Sequence, residues 1–222
     1  MSTQVVIPVK RLPGALRRLG RVLAPPERGL LQEAMLRDML AACAAADGVD
    51  DVLVVTSDDT AARRAAEAGA RVAADHHPPR GMSAAVAIGQ ADAARHGRRA
   101  LVLTADLALV RPDDVAAVVA QPCPAPGVVL VPSHAGTGTN ALLIDPPAAL
   151  RTRLGRDSRT LHRAAAAAAG CAYAEMEVPR MALDIDTPAD LRRMAALGPP
   201  THTRRVCEDL GLEARLEAVS AA

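Results

Sequence analysis

The 222-residue chain has no tryptophan, no phenylalanine and a single tyrosine, Tyr173. With half of its residues apolar, any core must therefore be built from leucine, valine, isoleucine, alanine and methionine. Charge of one sign is also missing. The formal net charge is +1, which gives no support to non-specific nucleic-acid binding. The four cysteines (Cys43, Cys123, Cys171 and Cys207) are scattered without CxxC spacing. That argues against a zinc site or a disulfide framework and for free thiols in a reducing cytoplasm. No basic and apolar leader opens the sequence, and no apolar stretch is long enough to span a bilayer, so no membrane association is expected. Lysine is almost absent: Lys10 is the only one, in a chain rich in arginine and alanine. Compositional drift towards arginine accounts for that bias. Lys10 is then either a chance survivor or a position where a compact ammonium is needed.

What is present is a regular alternation of strand-like and helix-like segments. Apolar strands are expected at 4–9, 52–55 and 100–104, with a weaker one at 71–74. Two more flank residues 136–140, and another runs over 173–178. Helices are expected over 27–46, 61–68, 83–96, 112–120, 158–169 and 187–197. The last of these has Thr187 as N-cap, Pro188 at N1 and Asp190 at N3. The segment 75–81, with His76 and His77, is expected to be a loop. One amphipathic helix is expected beyond residue 201. The pattern predicts an α/β fold: a single domain over 1–200 with a mostly parallel central sheet covered by helices on both faces, and a helical tail over 201–222. Ligands of such sheets sit at the carboxyl ends of the strands.

Several groups with chemical potential fall at those ends. Gly136-Thr-Gly-Thr-Asn-Ala-Leu-Leu143 is a polar loop running into a strand. Its glycines permit close backbone approach, and its hydroxyls and amides could hold an anion; the plain alternative is a glycine-rich turn. Leu101–Asp106 drives an apolar strand into a carboxylate. Asp184 and Asp186 are two residues apart and face one side of extended backbone. Three converging aspartates, Asp106, Asp184 and Asp186, would repel one another unless a hard dication such as Mg²⁺ sits between them; helix capping is the plain role for either of the last two. Ser158 opens a helix and could hold an anion there or simply cap it. His162 lies one turn further on and could reach the same place, or could be a packing residue.

Taken together, Ile7-Pro-Val-Lys10, Ala105-Asp-Leu107, Gly136–Leu143, Gly155-Arg-Asp-Ser158 with His162, and Leu183–Leu191 resemble the 2-phospholactate or phosphoenolpyruvate guanylyltransferases of coenzyme F(420) biosynthesis. The likeness runs from about residue 4 to residue 197. It implies a single-domain nucleotidyltransferase fold (GT-A/Rossmann-like) and transfer of GMP from GTP to a three-carbon phospho-acid, with release of pyrophosphate. It implies that Asp106, Asp184 and Asp186 hold metal. Thr139, Gly155 and Ser158, with Gly138 and Asn140, would hold the phospho-acid. Pro8, Lys10, Arg17, Arg18, Gly81 and Ser83 would face the nucleotide, and Lys10, Arg18 and Asp106 would be catalytic. Two departures from the family pattern fall on the nucleotide side. Leu16 stands where the family carries a lysine, and Gly81-Met82-Ser83 replaces Gly-Leu-Asn. These departures leave room for another base or acceptor, or for a non-catalytic binding paralogue. GTP and a small phospho-acid are the expected partners; a homodimer is one possible assembly, and the sequence does not fix the oligomeric state.

Overall fold

The computed structural model describes residues 1–76, 78, 80–197 and 201–220. Among these, seven strands form one sheet in the order β3-β2-β1-β4-β6-β5-β7. The strands are β1 (Thr3–Val9), β2 (Asp51–Thr56), β3 (Arg71–Ala74), β4 (Arg99–Leu103), β5 (Gly127–Pro132), β6 (Thr139–Asp145) and β7 (Ala172–Glu175). All neighbouring pairs are parallel except those made by β6, which runs antiparallel to both β4 and β5. The exception follows from the chain: β5 and β6 are joined by a short loop with no helix, and such a connection forces adjacent antiparallel strands. The reversal brings the first residues of β6 to the same sheet end as the last residues of β4.

Alternation along the strands divides the core in two. Val5, Ile7, Val54, Leu101, Leu103 and Val129 face α1 (Pro25–Ala44), α2 (Asp59–Glu67) and α4 (Pro112–Ala120). Val6, Leu53, Val55, Val102, Leu130 and Leu142 face α3 (Met82–Arg95) and α5 (Ser158–Ala168). With no tryptophan or phenylalanine, close approach supplies the packing. Gly89 of α3 lies directly on Val6, where an added Cβ would stand 2.2 Å from Val6 Cγ1.

A third apolar cluster joins the loop after β1 (Leu16, Leu19, Leu23) to α7 (Pro188–Leu197) and α9 (Leu212–Ser220). A short helix, α6 (Pro179–Ala182), precedes α7. The tail holds two helices where one was expected. The chain turns at Gly211, whose φ of +59° separates α8 (His202–Asp209) from α9. Asp38 of α1 accepts from the Thr203 amide at 2.8 Å and its hydroxyl at 2.6 Å, which anchors α8. The domain boundary expected at residue 200 falls at residues outside the described ones, as does His77 of the expected 75–81 loop. All four cysteines are free. Among the described residues no helix is long and apolar enough to cross a membrane.

Gly→Ala in a helix ordinarily stabilises by up to about 1 kcal/mol. At Gly89 the contact with Val6 reverses the sign: Gly89→Ala is expected to cost about 1–3 kcal/mol. The melting temperature should fall by about 2–4 °C per kcal/mol. A variant melting at or above the wild-type temperature would show that α3 can slide off β1.

Candidate active site

The carboxyl end of the sheet carries a cavity of about 590 Å³. Its walls include Arg18, Asp106, Asp184 and Asp186 together with Gly138, Thr139, Asn140, Gly155 and Ser158. Thus the metal candidates and the acid-binding candidates, drawn from four separate segments, share one space. A larger cavity of about 860 Å³ lies between α7, α8 and α9 and contains none of these residues.

Main-chain bonds bring the segments together. Asp106 lies three residues past β4, and its carbonyl accepts from the Ile185 amide at 3.0 Å, which sets Asp184 and Asp186 beside it. Asn140 is buried, and its Nδ2 donates to the carbonyls of Met181 (2.9 Å) and Ala182 (3.0 Å) and to Asp184 Oδ1 (3.2 Å). Asn140 therefore spends its donors on protein and orients Asp184. Arg180 grips Asp114 of α4 with two bonds of 2.7 and 2.8 Å, pinning the same segment from the other side. Thr187 and Asp190 form the expected capping pair: Asp190 Oδ2 accepts from the Thr187 amide at 2.8 Å, and the Asp190 amide donates to Thr187 Oγ1 at 3.4 Å.

The loop 133–138 corrects one expectation. Its glycine amides are not free for a ligand. Gly136 N–H donates to Ser133 O at 2.8 Å, and Gly138 N–H donates to Ser133 Oγ at 3.0 Å. A loop this short satisfies its own backbone first. Gly138 is small for a packing reason, since a Cβ there would stand 2.7 Å from Ser133 Oγ. Thr139, the residue that follows this loop, lines the cavity. Arg159 braces the loop from α5, donating from Nη1 to Gly136 O at 3.0 Å while its amide donates to Thr137 O at 3.1 Å. Arg159 is itself held by Glu175 at 2.6 Å, and Glu175 also accepts from Arg163 (2.5 Å) and from Tyr173 Oη (2.6 Å).

Ser158 is not a cap. Asp157 occupies the N-cap position with φ +56°, and Ser158 is the first helical residue. The Ser158 side chain is buried, and its Oγ has no hydrogen-bond partner although it lines the cavity. An orphaned buried hydroxyl costs about 1–3 kcal/mol, which a bound acceptor would recover. Gly155 holds φ +122°, a conformation closed to other residues, with open space where a Cβ would project.

Of the three aspartates, Asp106 is the least satisfied. Asp106 Oδ1 is buried without a partner. Burial, reinforced by repulsion from Asp184 and Asp186, pushes the Asp106 carboxyl up to about 6. This all-oxygen donor set suits a hard dication. Even so, among the described residues no three His, Cys, Asp or Glu side chains stand together as a metal cluster. Asp186 pairs instead with Arg18 at 2.9 Å, an exposed and hence weak bridge. His134 stands 3.4 Å from Asp184 and 3.3 Å from Asp190.

Apart from Arg18, the nucleotide-side candidates do not line this cavity. Pro8 is buried within β1 opposite Val55. Lys10 is exposed just past the end of that strand, and Arg17 is exposed on the following 3-10 turn. Gly81 caps α3 with φ +93°. Ser83 Oγ accepts from the Leu154 amide at 3.0 Å, tying α3 to the loop before α5. Met82, between the last two, does reach the wall. Leu16 turns into the third apolar cluster in a left-handed conformation (φ +51°), strained for a leucine. Arg156, Arg193 and His134 line the cavity and were not among the sequence candidates. Arg156 sits inside the Gly155–Ser158 motif, and Arg193 follows Ala189 by one helical turn, so helical spacing from the aspartate segment could have found it.

The architecture is shared with solved nucleotidyltransferases. A putative nucleotide-diphospho-sugar transferase from Desulfovibrio desulfuricans superposes with a TM-score of 0.76 at 16% identity, over 98% of both chains. A nucleotidyl transferase from Methanothermobacter superposes with a TM-score of 0.64 at 20% identity, over 92% of this chain and 98% of that one. At such identities the likeness shows the fold, and the fold is that of the nucleotidyltransferases. Sequence narrows the class. The family described as "Guanylyl transferase CofC like" matches residues 3–222. The phosphoenolpyruvate guanylyltransferase of Conexibacter woesei is 40% identical, covering 95% of this chain and 97% of the relative. That of Rubrobacter xylanophilus is 41% identical, covering 89% and 96%. The chain belongs to the CofC-like guanylyl transferase family, and it is a nucleotidyltransferase.

The Glu175 ion pairs hold that carboxyl down to about 2 from an ordinary 4.5. Their stabilisation is complete above the ordinary value and is lost as the pH falls towards 2. Glu175→Gln should therefore be less stable at neutral pH and should lose less on acidification through that window. Parallel pH–melting curves for the two proteins would show the brace to be idle.

Proposed function

We propose that the protein transfers GMP from GTP to phosphoenolpyruvate, releasing pyrophosphate, as a step towards a deazaflavin coenzyme of the F(420) type. The observation that carries this reading is the Ser158 hydroxyl, buried and unpartnered beside Thr139 in the cavity that also holds Asp106. A three-carbon phospho-acid offers the acceptors such a site lacks, and the names of the relatives favour phosphoenolpyruvate over 2-phospholactate or 3-phosphoglycerate.

In this reading Thr139, Gly155 and Ser158 orient the acid, with Arg156 adding positive charge at the same wall. An acid phosphate oxygen, already ionised at neutral pH, attacks the α-phosphorus of GTP in line with the departing pyrophosphate, and no general base is needed. Arg18 and Lys10 offset charge on the α-phosphate and the leaving group. Asp106, Asp184 and Asp186 would hold Mg²⁺, which when bound supplies electrostatic stabilisation of the phosphates. Arg18 would have to release Asp186 for all three to take part. Both substrates are cytoplasmic metabolites, and the reading places the enzyme there.

The test is pyrophosphate release with GTP, ATP, CTP and UTP against phosphoenolpyruvate, 2-phospholactate and 3-phosphoglycerate. Turnover confined to GTP with phosphoenolpyruvate is expected; faster turnover with another pair would replace the specificity proposed, and none with any pair would replace the activity. Ser158→Ala should raise the KM for phosphoenolpyruvate by about tenfold while the KM for GTP stays within about twofold. An effect on GTP alone would exchange the two halves of the site. Asp106→Asn should cut turnover by about 10²-fold or more without loss of folded protein; near-normal turnover would remove Asp106 from the reaction.

A further inference from the structure

His162 is fully buried on α5, one helical turn after Ser158. Both ring nitrogens are engaged. Nε2 accepts a hydrogen bond from the Arg153 amide at 2.9 Å, and Nδ1 lies 3.0 Å from Thr139 Oγ1. A backbone N–H can only donate, so Nε2 carries no proton. A neutral imidazole must then carry its proton on Nδ1, which leaves Nδ1 as the donor to Thr139 Oγ1. The hydroxyl, having accepted that bond, keeps its own proton for another partner. Thr139 and Ser158 both line the cavity, and among the described residues His162 is the hydrogen-bond partner of the Thr139 hydroxyl.

We propose that His162 is a positioning residue that, through a tautomer fixed by the Arg153 amide, turns the Thr139 hydroxyl into an obligate donor aimed at the acceptor anion. The inference rests on the reading that Thr139 faces the phospho-acid. Burial supports it, since it pushes the imidazole down to about 4 and keeps the ring neutral in the working range. A charged ring would donate from both nitrogens and could not accept from Arg153. The pair also makes the loop before α5 sense the loop before β6: Arg153 sets the ring, the ring sets Thr139, and Ser158 stands on the same helical face.

Three variants separate the roles. His162→Gln reaches the Nε2 position and loses the donor at Nδ1. His162→Asn keeps a donor near Nδ1 and loses the acceptor for Arg153. Thr139→Val removes the hydroxyl. With phosphoenolpyruvate and GTP as probes, His162→Gln should raise the KM for the acid by about tenfold and leave that for GTP within about twofold. His162→Asn should stay within about threefold of wild type for both. Thr139→Val should match His162→Gln, and the double variant should be no worse than either single one. Additive losses, or equal damage to both substrates, would overturn the proposal. If Thr139→Val leaves the acid KM unchanged, the underlying reading of the acid pocket fails; if only His162→Gln does, the positioning role alone fails. A readout independent of folding defects comes from ¹⁵N NMR of histidine-labelled wild-type protein, with the His162 signal assigned by its loss in His162→Asn. A protonated Nδ1 and bare Nε2, constant between about pH 5.5 and 8, is expected. The opposite tautomer would overturn the proposal.

Discussion

The Asn140 side chain ties the aspartate-bearing segment 181–184 to the sheet. Its Nδ2 has two protons and faces three acceptors: the carbonyls of Met181 and Ala182 and the Asp184 carboxylate. Because Asn140 is the second residue of β6, that nitrogen is fixed to the centre of the sheet, and the 181–186 segment is suspended from it. The segment has little regular structure of its own. Its order comes from this amide, from Ile185 on the Asp106 carbonyl, and from Arg180 on Asp114. Burial makes each bond worth more than it would be in water, and it also makes the loss of a partner costly. An aspartate pair on an otherwise free loop becomes a fixed charge source by this means.

A division of labour follows between residues that touch the cavity and residues that hold them there. The sequence candidates on the acid side mix the two kinds. Thr139 and Ser158 line the cavity and carry hydroxyls not used to hold its frame. Gly138 and Asn140 belong to the framework, one by leaving room for Ser133 and the other by gripping 181–184. Ser83 joins the framework too, since its hydroxyl is taken by Leu154. Motif membership does not separate these roles, because both kinds of residue are equally bound to their positions.

Much of the fold could be read from the chain, since its helices and strands carry strong local signals. Pro112 and Asp114 mark the start of α4, and Pro188 and Asp190 that of α7, each with a bond to match. The antiparallel insertion of β6 between β4 and β5 was not legible. The antiparallel direction of β6 against β5 follows from the short loop between them, but its place beside β4 depends on pairing between strands that are remote in sequence. The division of the tail into two helices leaves little trace in the sequence, because only Leu210 and Gly211 separate them. In the site, strand ends and motifs made legible that Asp106, Asp184, Asp186, Thr139, Gly155 and Ser158 line one cavity, though the three carboxylates do not stand together as a metal cluster. The internal satisfaction of the 136–138 amides was not, because composition shows a loop's donors and not their partners. Arg18 on Asp186 and Arg193 at the wall come from tertiary contact, and only the helical spacing of Arg193 leaves a trace in the sequence.

Tyr173 is the sole aromatic side chain, and it sits on β7 with its hydroxyl on Glu175 and the Arg163 guanidinium 5.8 Å from its ring centre. Glu175 in turn holds Arg159, which braces the loop leading to Thr139. The protein's entire near-ultraviolet absorption and intrinsic emission therefore originate at one ring, three contacts from the acid pocket. Nucleotide absorbance is almost unmasked in this background, and any spectral change that is not the ligand's own reports on a single, known place in the molecule.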